Sequence, residues 1–346
     1  MTDIYKQNSP LVSIIIVNWN GKHLIEECIE SLRNQTFRDF EVIVVDNGST
    51  DGSSEFIKNS FPEVKLVLLS PNKGFAGGNN AGIKIAKGKY IALLNNDTKA
   101  DPRWLENIVE IANSTPDAGM WASKILSYYK TDTIDNVGLL IYKDGIARGK
   151  GRLEQDNGQY NIVTEAFVPS GCAALYRKEM LDKIGLFDED FFAYADDVDI
   201  GLRGRIAGWK CLYVPNAIVY HKYSASSSSY SALKAFLVER NRIWILLKYF
   251  PCDMILVSPY FTLKRMLIMF LGAITGKGAS GKFSKNYSFF YAIYILLKAW
   301  CSAILYLPKI IRQRKQISGI KKITNRELRK LINKFSISAT ELALKD

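Results

Sequence analysis

Residues 11–21 read LVSIIIVNWNG, a short run of apolar and β-branched residues that ends on polar ones. The runs EVIVV at 41–45 and YIALL at 90–94 have the same character. Such continuously apolar runs are typical of strands buried on both faces of a parallel sheet. Helical patterns lie between them, at residues 23–34 and after Gly77. The chain is therefore predicted to be an α/β protein with a mostly parallel sheet flanked by helices.

Ligands of such sheets bind beyond the carboxyl ends of the strands. Three polar segments follow the three predicted strands at that edge: NWNG (18–21), DNGSTDG (46–52) and NNDT (95–98). Further along, we predict strands at 168–176 and 212–221, a helix at 196–207, and a polar linker at 224–231. Residues 120–165 are rich in Gly, Asp and Tyr, which indicates an edge hairpin or an insertion that covers the substrate.

Charge is distributed unevenly along the 346 residues, whose formal net charge is +12. Residues 1–229 hold 25 Lys and Arg against 29 Asp and Glu (25 − 29 = −4), and residues 230–346 hold 21 against 5 (21 − 5 = +16). The length and this asymmetry predict a catalytic domain at 1–231 and a basic helical region at 232–346. The five scattered cysteines are predicted to be reduced core residues in the cytosol, and residues 1–10 lack the apolar core of a signal peptide.

Two residues at predicted strand ends have the chemistry of metal ligands. Asp97 follows the strand at 90–94, and a carboxylate there must be solvated, paired or bound to a cation, because burying it alone is costly. Mg²⁺ and Mn²⁺ bind one or two protein carboxylates together with phosphate oxygens, and the imidazole of His221 suits Mn²⁺ better than Mg²⁺. Taken singly, Asp97 also fits a turn or a helix cap, and His221 an ordinary surface or core histidine.

Three acids in four residues, Asp196, Asp197 and Asp199, open a predicted helix behind the aromatic stretch at 191–194. The helix dipole favours acids at a helix start by about 0.3–1 kcal/mol each, which explains them without catalysis. An apolar wall beside paired acids would also raise one pKa and suit a general base. The glycine-rich residues 72–82 allow backbone N–H groups to approach phosphates, or form a plain turn and cap.

Taken together and in order, these motifs are more specific than any one of them. Over about residues 11–251 the chain resembles the inverting glycosyltransferases of family 2, which have the Rossmann-like GT-A fold. It looks most like the rhamnosyltransferase-like branch, which acts on lipid-linked or cell-wall glycans. The matching segments are VSIIIVNWNG (12–21), VIVVDNGSTDGS (42–53), NKGFAGGNNAGI (72–83), YIALLNNDT (90–98), VPSGCAALYRKEMLDKIGLFDEDFFAYADDVDIGLRGRIAGWKCLYVPNAIVYH (168–221) and ERNRIWILLKYFP (239–251).

The resemblance implies that the strand ends bind the nucleotide-sugar donor. Asn18 and Asp46 would line the nucleobase and ribose pocket, and Asn79 would lie near the diphosphate. The family's Asp-x-Asp motif corresponds to residues 95–97. Its metal-binding last residue is Asp97, whereas Asn95 replaces the first Asp and would be a weaker neutral ligand or a ribose contact, with Asn96 beside it at the donor.

The resemblance also implies which residues perform the reaction. Asp197 matches the general base of the family's acidic pair, and Asp196 would meet the acceptor. His221 matches a histidine that completes the metal site in some members. Arg240 and Arg242 fall where the branch has Arg-Asn, and would meet the diphosphate. The implied cofactor is Mn²⁺ or Mg²⁺, and the implied outcome is inversion at the anomeric carbon.

Three stretches after residue 232 are strongly apolar: 243–250, 254–275 and 287–307. Lys264-Arg265 splits the second, and the third reaches the ~20 residues that cross a bilayer. From Lys309 to Lys334 ten Lys and Arg accompany one acid, and anionic headgroups attract such charges by about 1 kcal/mol each. These features favour an interfacial position at the cytoplasmic face of the membrane over nucleic-acid binding. The alternative is a solvated helix face beside a homo-oligomer interface.

Two other classes of protein stay open on the residues alone. A catalytically inactive sugar-nucleotide-binding protein on the same scaffold would explain Asn95, although the retained Asp97, Asp197 and His221 oppose it. A nucleotidyltransferase also combines a parallel sheet with a metal. It would need a basic glycine-rich signature near the N-terminus, where this chain has NWNG.

Overall fold

A computed structural model of the chain describes residues 9–222 and 231–345. Its centre is a ten-stranded mixed sheet, and two further strands form a separate hairpin. The strands in chain order are β1 (Val12–Asn18), β2 (Phe40–Asp46), β3 (Lys65–Leu68), β4 (Tyr90–Leu94), β5 (Thr98–Ala100), β6 (Ala118–Ser127), β7 (Ile134–Asn136), β8 (Leu139–Ile141), β9 (Ala147–Gly149), β10 (Thr164–Glu165), β11 (Ala173–Arg177) and β12 (Lys210–His221).

The main strands run in the order β10-β12-β6-β11-β4-β1-β2-β3. Strand β1 pairs in parallel with β2 and β4, and β6 pairs in parallel with β12. Strand β11 is antiparallel to both β4 and β6 and joins the two parallel parts. The carboxyl ends of β1, β2 and β4 therefore lie at one edge of the sheet, as the sequence predicted.

Helices cover both faces of the sheet. Ile14 and Ile16 of β1 pack in one buried cluster with α1 and α4, and Ile15 packs in a second with α3, because successive strand residues point to opposite faces. These clusters confirm the predicted two-sided burial. The helices here are α1 (Lys22–Arg33), α2 (Ser53–Ser60), α3 (Gly74–Ile85), α4 (Trp104–Ser114), α5 (Lys178–Ile184) and α6 (Asp196–Ile206).

Two predictions for the middle of the chain were wrong in part. Residues 118–127 form β6, which lies inside the sheet between β11 and β12 and not at its edge. The prediction treated residues 120–165 as one segment. The polar residues after the strand therefore obscured its apolar sequence. The strand predicted at 168–176 begins only at Ala173, because the preceding residues turn beside the helix start at Asp197, whose carboxylate accepts the Gly171 N–H.

Seven helices follow residue 231, and they share a hydrophobic core with the sheet region. Phe167 and Phe191 of the sheet region pack in the same cluster as Trp244, Phe250 and Ile332. The proposed boundary at 231/232 stays a prediction, and residues 224–230 of the predicted linker lie outside the described part. The helices are α7 (Ala232–Tyr249), α8 (Cys252–Thr275), α9 (Gly278–Phe283), α10 (Phe289–Leu305), α11 (Leu307–Ile320), α12 (Asn325–Lys334) and α13 (Ala339–Leu344).

Helix α8 is continuous through Lys264-Arg265, the two charged residues that interrupt its apolar sequence. Neighbouring helix residues point about 100° apart, and here the lysine is exposed while the arginine is buried. Among the described residues, α8 is the one helix long and apolar enough to cross a membrane, and α10 with α11 would be a second such segment, bent by 58°. Cys252 and Cys301 are exposed, which corrects their prediction as core residues.

Candidate active site

A cavity of about 700 Å³ opens at the carboxyl ends of β1, β2 and β4, a size that suits a small-molecule ligand. Six of the eleven predicted site residues line it: Asn95, Asn96, Asp196, Asp197, His221 and Arg242. The other five do not line it: Asn18, Asp46, Asn79, Asp97 and Arg240. The structure thus brings the acidic pair, the histidine and two residues of the NNDT segment to one cavity.

Asn18, Asp46 and Asn96 form a hydrogen-bonded chain beside the cavity. The amide of Asn96 donates to Asn18 Oδ1 at 2.8 Å, and the amide of Asn18 lies 3.4 Å from Asp46 Oδ2. The parallel register places Asn18 directly opposite Asp46. Gly21 permits this arrangement, because a Cβ there would lie 2.3 Å from Asn96 Nδ2. These hydrogen bonds therefore connect the segments that end β1 and β2 and follow β4.

His221 lies between two carboxylates at the end of β12. Its Nε2 is 3.3 Å from Asp97 Oδ1, and its Nδ1 is 2.8 Å from Asp135 Oδ2. Burial alone would lower the pKa of His221, but Cys172, Asp135 and Asp97 raise it well above its usual value. The other oxygen of Asp135 accepts from Arg152 at 2.6 Å. Sequence reasoning missed Asp135, whose position in IDNVG is typical of a turn.

These residues fit a divalent cation as a two-ligand site. No group of three or more His, Cys, Asp or Glu that could hold a metal occurs among residues 9–222 and 231–345. Asp97 and His221 nevertheless offer one carboxylate oxygen and, when Nε2 carries no proton, one imidazole nitrogen side by side. A carboxylate on the far nitrogen, here Asp135, is the usual way in which proteins orient a metal-binding histidine. A cation held by two protein ligands needs further oxygens, and a diphosphate supplies them.

The acidic pair opens helix α6 and lines the same cavity. Asp197 is partly exposed, and its two oxygens accept the backbone N–H groups of Gly171 at 3.0 Å and Val198 at 2.8 Å. Asp196 is buried, and its Oδ2 has no hydrogen-bond partner among the described residues. Burial raises the pKa of both carboxyls, and the charge of Asp197 raises that of Asp196 further. The pair therefore holds a proton more tightly than ordinary aspartates do.

The loop before the pair is strained. Phe192, Tyr194 and Ala195 have φ values of +64°, +67° and +62°, which are uncommon for residues other than glycine. The buried amide of Asn241 holds this loop by donating to the carbonyl oxygens of three of its residues, Phe191, Ala193 and Tyr194. Asn241 was missed as a site residue, although it lies inside the Arg-Asn match.

Two predicted donor-binding residues, Arg240 and Asn79, already have protein partners here. Arg240 donates to the carbonyl oxygens of Asp190 and Phe191, and its guanidinium carbon lies 4.3 Å from the Trp244 ring. Asn79 donates to the Phe75 carbonyl at 2.9 Å within α3. Their predicted contacts with a diphosphate stay predictions.

Arg242 lines the cavity but is 3% exposed. It forms an ion pair with Glu239 and donates to the Asp144 carbonyl at 3.1 Å. Asn47 also lines the cavity, but it was not among the predicted site residues. It fixes the glycine-rich segment by donating to Asn72 Oδ1 and to the Gly74 carbonyl, each at 2.9 Å.

Two solved structures resemble the fold. GalNAc-T7 with UDP, GalNAc and Mn²⁺ superposes with a TM-score of 0.58 at 16% identity, covering 72% of this chain and 49% of that one. The mannosyltransferase PcManGT from Pyrobaculum calidifontis, in complex with GDP-Man and Mn²⁺, gives 0.50 at 15% identity, covering 97% and 87%. At such identities the likeness shows the GT-A fold alone, and it confirms the predicted fold class.

Sequence comparison gives relatives and a family. An uncharacterized glycosyltransferase of Rickettsia prowazekii (strain Madrid E) is 32% identical over 200 residues, which is 57% of this chain and 60% of the relative. The O-antigen biosynthesis protein RfbC of Myxococcus xanthus is 27% identical over 230 residues, 64% of this chain and 18% of the relative. The chain thus spans less than two thirds of these relatives. Residues 13–185, half of the chain, match Glycosyl transferase family 2. The chain belongs to this family of glycosyltransferases.

Proposed function

We propose that the protein transfers a sugar, rhamnose or another hexose, from a nucleoside-diphosphate sugar to a lipid-linked or cell-surface glycan, with inversion and with the help of a divalent cation. The observation that carries the proposal is the composition of one cavity. It combines an acidic pair of raised pKa, Asp196 and Asp197, with His221, whose Nε2 contacts Asp97. A base and a cation site in one cleft are what this transfer needs.

Asp197 is the proposed general base. Its carboxylate is partly exposed to the cavity, so an acceptor hydroxyl can reach it, while the N–H groups of Gly171 and Val198 fix its orientation. The deprotonated oxygen of the acceptor then attacks the anomeric carbon from the face opposite the leaving diphosphate, and the configuration inverts. Asp196, next to it at the start of α6, is the proposed contact of the acceptor.

Asp97 and His221 are the proposed cation ligands, with Asp135 holding the ring of His221 in place. A bound Mn²⁺ or Mg²⁺ would supply charge neutralisation for the departing nucleoside diphosphate. Asn18, Asp46, Asn95 and Asn96 are the proposed contacts of the nucleotide. The segment at 72–74 is held by side-chain oxygens of Asn47 and Asn72, which accept the backbone N–H groups of Lys73 and Gly74.

The proposal is tested by incubating the full-length chain with a panel of labelled nucleotide sugars, Mn²⁺ and an extract of lipid-linked glycans. We expect one donor to be consumed in transfer to a lipid-soluble product, and slow hydrolysis of the same donor without acceptor. The Asp197→Asn variant is the control, since it should bind that donor without transferring it. Binding of a donor with neither hydrolysis nor transfer by the wild-type chain would favour the inactive scaffold instead.

We further propose that the enzyme works at the cytoplasmic face of the membrane, where the basic region after residue 232 holds it. This proposal is supported by the apolar helix α8 and by the sequence from 254 to 326, which contains thirteen Lys and Arg and no Asp or Glu. The full-length protein should therefore be recovered with the membrane fraction of lysed cells. Full-length protein that stays in the supernatant of lysed cells at low salt without detergent would contradict it.

A further inference from the structure

Helix α8 turns its polar side to the protein and its apolar side outward. Arg265 is 2% exposed, whereas Leu256, Leu263 and Ile274 are 80%, 59% and 66% exposed. An amphipathic helix on a protein surrounded by water has the opposite arrangement. The apolar side of α8 is therefore built to contact something other than water.

Four buried charged residues hold α8 in this orientation: Asp144, Glu239, Arg242 and Arg265, which we name the charge quartet. Arg265 Nε lies 2.7 Å from Asp144 Oδ2, and Arg265 Nη2 lies 3.0 Å from Glu239 Oε2. Arg242 pairs with Glu239 and lies 3.8 Å from Asp144 Oδ2. Two arginines balance two carboxylates, and removing one partner would leave a buried charge uncompensated. The quartet thus ties α8 to α7 and to the turn between β8 and β9.

The two ends of α8 contact the same body of the protein. At its start, Asp253 lies 2.8 Å from Arg329 of α12. Beyond its end, Gly278 packs directly on α13, since a Cβ there would lie 2.1 Å from the Ala343 carbonyl oxygen. Helix α13 is itself bound to the β8–β9 hairpin, because Arg148 donates to the Leu342 carbonyl at 2.7 Å.

This packing conflicts with a membrane crossing. A helix of 24 residues is about 36 Å long, enough to carry its end to the far side of a hydrocarbon layer about 30 Å thick. Crossing would separate that end from α13 and take Arg265 from its two carboxylates. The observed contacts instead keep α8 lengthwise along the catalytic body.

Helix α10 extends the same exposed surface. The Phe270 ring of α8 lies 5.7 Å from the Phe289 ring at the start of α10, and Trp300 of α10 donates to Glu239 at 3.0 Å. Phe290 and Leu305 of α10 are 82% and 80% exposed. We name the exposed apolar side chains of α8 and α10 the apolar face.

The charge around the apolar face identifies its occupant as an anionic bilayer. Lys264 on α8 and Lys298 on α10 are exposed beside it, and such side chains keep their ammonium groups at the headgroups while their stems lie among lipid. A second copy of this chain would bring a second set of these exposed lysines to the same interface, because a twofold interface pairs a surface with itself. Anionic headgroups complement that charge.

We propose that the apolar face inserts into one leaflet of the membrane with α8 and α10 lying in its plane, and that neither end of α8 crosses. The inference rests on the membrane attachment proposed above. It also fixes where the cavity lies. Helix α7 packs along α10 and lines the cavity with Leu233, Leu237 and Val238, so a lipid-linked acceptor reaches the acidic pair from the same leaflet.

The test is labelling of cysteines at the two ends of α8 by a membrane-impermeant maleimide in sealed vesicles whose cytoplasmic side faces out. Native Cys252 is the exposed reporter at the start, and Lys277→Cys places one just after the end. Each is studied alone in the full chain, with Cys301→Ser in both and Cys252→Ser added for the second. We expect both sites to be labelled equally before and after the vesicles are opened with detergent.

Labelling of the Lys277→Cys protein only after opening would show that α8 crosses, and would overturn the inference. Recovery of the protein outside the vesicle fraction as a dimer would overturn it too. Donor hydrolysis by the same vesicles is measured separately. Same-side labelling without hydrolysis would leave the inference standing while the proposed function fails.

A matched pair of charge-removing variants tests the charge quartet itself. Arg265→Met and Lys264→Met each remove one cation from α8, one inside the charge quartet and one outside it. We expect only Arg265→Met to release α8 from the catalytic body and allow it to cross the membrane. Labelling at the Lys277→Cys site in closed vesicles should therefore fall in that variant and not in Lys264→Met. Unchanged labelling in both variants would show that the charge quartet does not hold α8 in its position.

Discussion

Two of the clusters of buried charge in this protein are built in opposite ways. The acidic pair of Asp196 and Asp197 contains no cation, and neither carboxyl forms an ion pair with a described residue, so burial raises both pKa values. In the charge quartet two arginines face two carboxylates. Burial alone would raise the pKa of Glu239, but Arg265 and Arg242 lower it to about 2.

This difference distinguishes a cluster that can take part in a reaction from one that holds parts of the fold together. A buried acid without a cation holds its proton at a cost in stability, and such groups are typical of catalytic sites. In a neutral cluster every charge is already paired, so no group is available to bind a substrate or to transfer a proton. Such a cluster instead fixes the relative positions of the helices and turns that contain it. The predictions below break one cluster or the other, beginning with the largest effect.

Removing the proposed base should have the largest effect. Asp197→Asn keeps the size of the side chain but cannot accept a proton, so transfer should fall about 10²–10⁴-fold. Its single oxygen can keep only one of the two contacts with the N–H groups of Gly171 and Val198. Donor binding should change little, because the base meets the acceptor. The measurement is transfer rate together with donor affinity. Transfer within threefold of wild type would remove Asp197 from this role, and a larger loss in Asp196→Asn would show that Asp196 is the base.

Breaking the charge quartet should act on stability and not on chemistry. Arg265→Met leaves Asp144 and Glu239 with one arginine, and loss of one partner of a buried pair costs roughly 3–5 kcal/mol. Urea unfolding in detergent measures the free energy of unfolding. Lys264→Met is the control one residue away and should stay within about 0.5 kcal/mol of wild type. Equal stability of the two variants would mean that Arg265 is not held as described.

The metal affinity of the proposed cation site should depend on Asp135, which contacts His221 and is not itself a proposed ligand. Asp135→Asn weakens the contact that orients His221, and loss of such a partner typically lowers metal affinity about 10–100-fold. Binding of Mn²⁺ in the presence of a nucleoside diphosphate, followed by electron paramagnetic resonance, measures this without turnover. Asp132→Asn, which alters a nearby exposed carboxylate, is the control.

The metal requirement itself is a separate part of this test. Turnover should stop in EDTA and return with Mn²⁺ or Mg²⁺, because Asp97 and His221 are proposed to hold the cation. Full activity in EDTA would reject the metal role. Normal metal dependence in His221→Ala would reject this ligand set while leaving the metal role open.

The sequence predicted the parts of the site that are local in the chain. Apolar runs that end on Asn18, Asp46 and Asn95 place these residues at one edge, because parallel strands share a direction. The acids at the start of α6 are equally local. Such features can be read from a few consecutive residues, and the structure has them where they were expected.

What the sequence did not predict depends on contacts between distant segments. Asp135 is separated from His221 by 86 positions, and Asp144 from Arg265 by 121. In the sequence Asp135 fits a turn, and Arg265 interrupts an apolar stretch. Only the packing of α8 against the β8–β9 hairpin shows that Arg265 is part of the interior. Strand β6 was missed for another reason, since its apolar residues were averaged with a polar insertion.

The smallest effect should be a gain in stability from Asp196→Asn. Asp196 is buried with its Oδ2 unpaired, and burial together with Asp197 raises its pKa well above the usual value. Below the pKa of an unfolded aspartate the carboxyl is protonated in both states and costs nothing. As the pH rises from the pKa of an unfolded aspartate towards the higher folded-state pKa, the unfolded chain releases its proton to water while the folded protein retains it, which favours unfolding. Wild type therefore loses stability across that interval, and the asparagine variant does not. The difference in free energy of unfolding, measured by urea titration from pH 4 to pH 8, should grow with pH in favour of Asp196→Asn. A difference that is constant with pH, or that favours wild type at neutral pH, would mean that the acidic pair is compensated after all and that its contrast with the charge quartet is false.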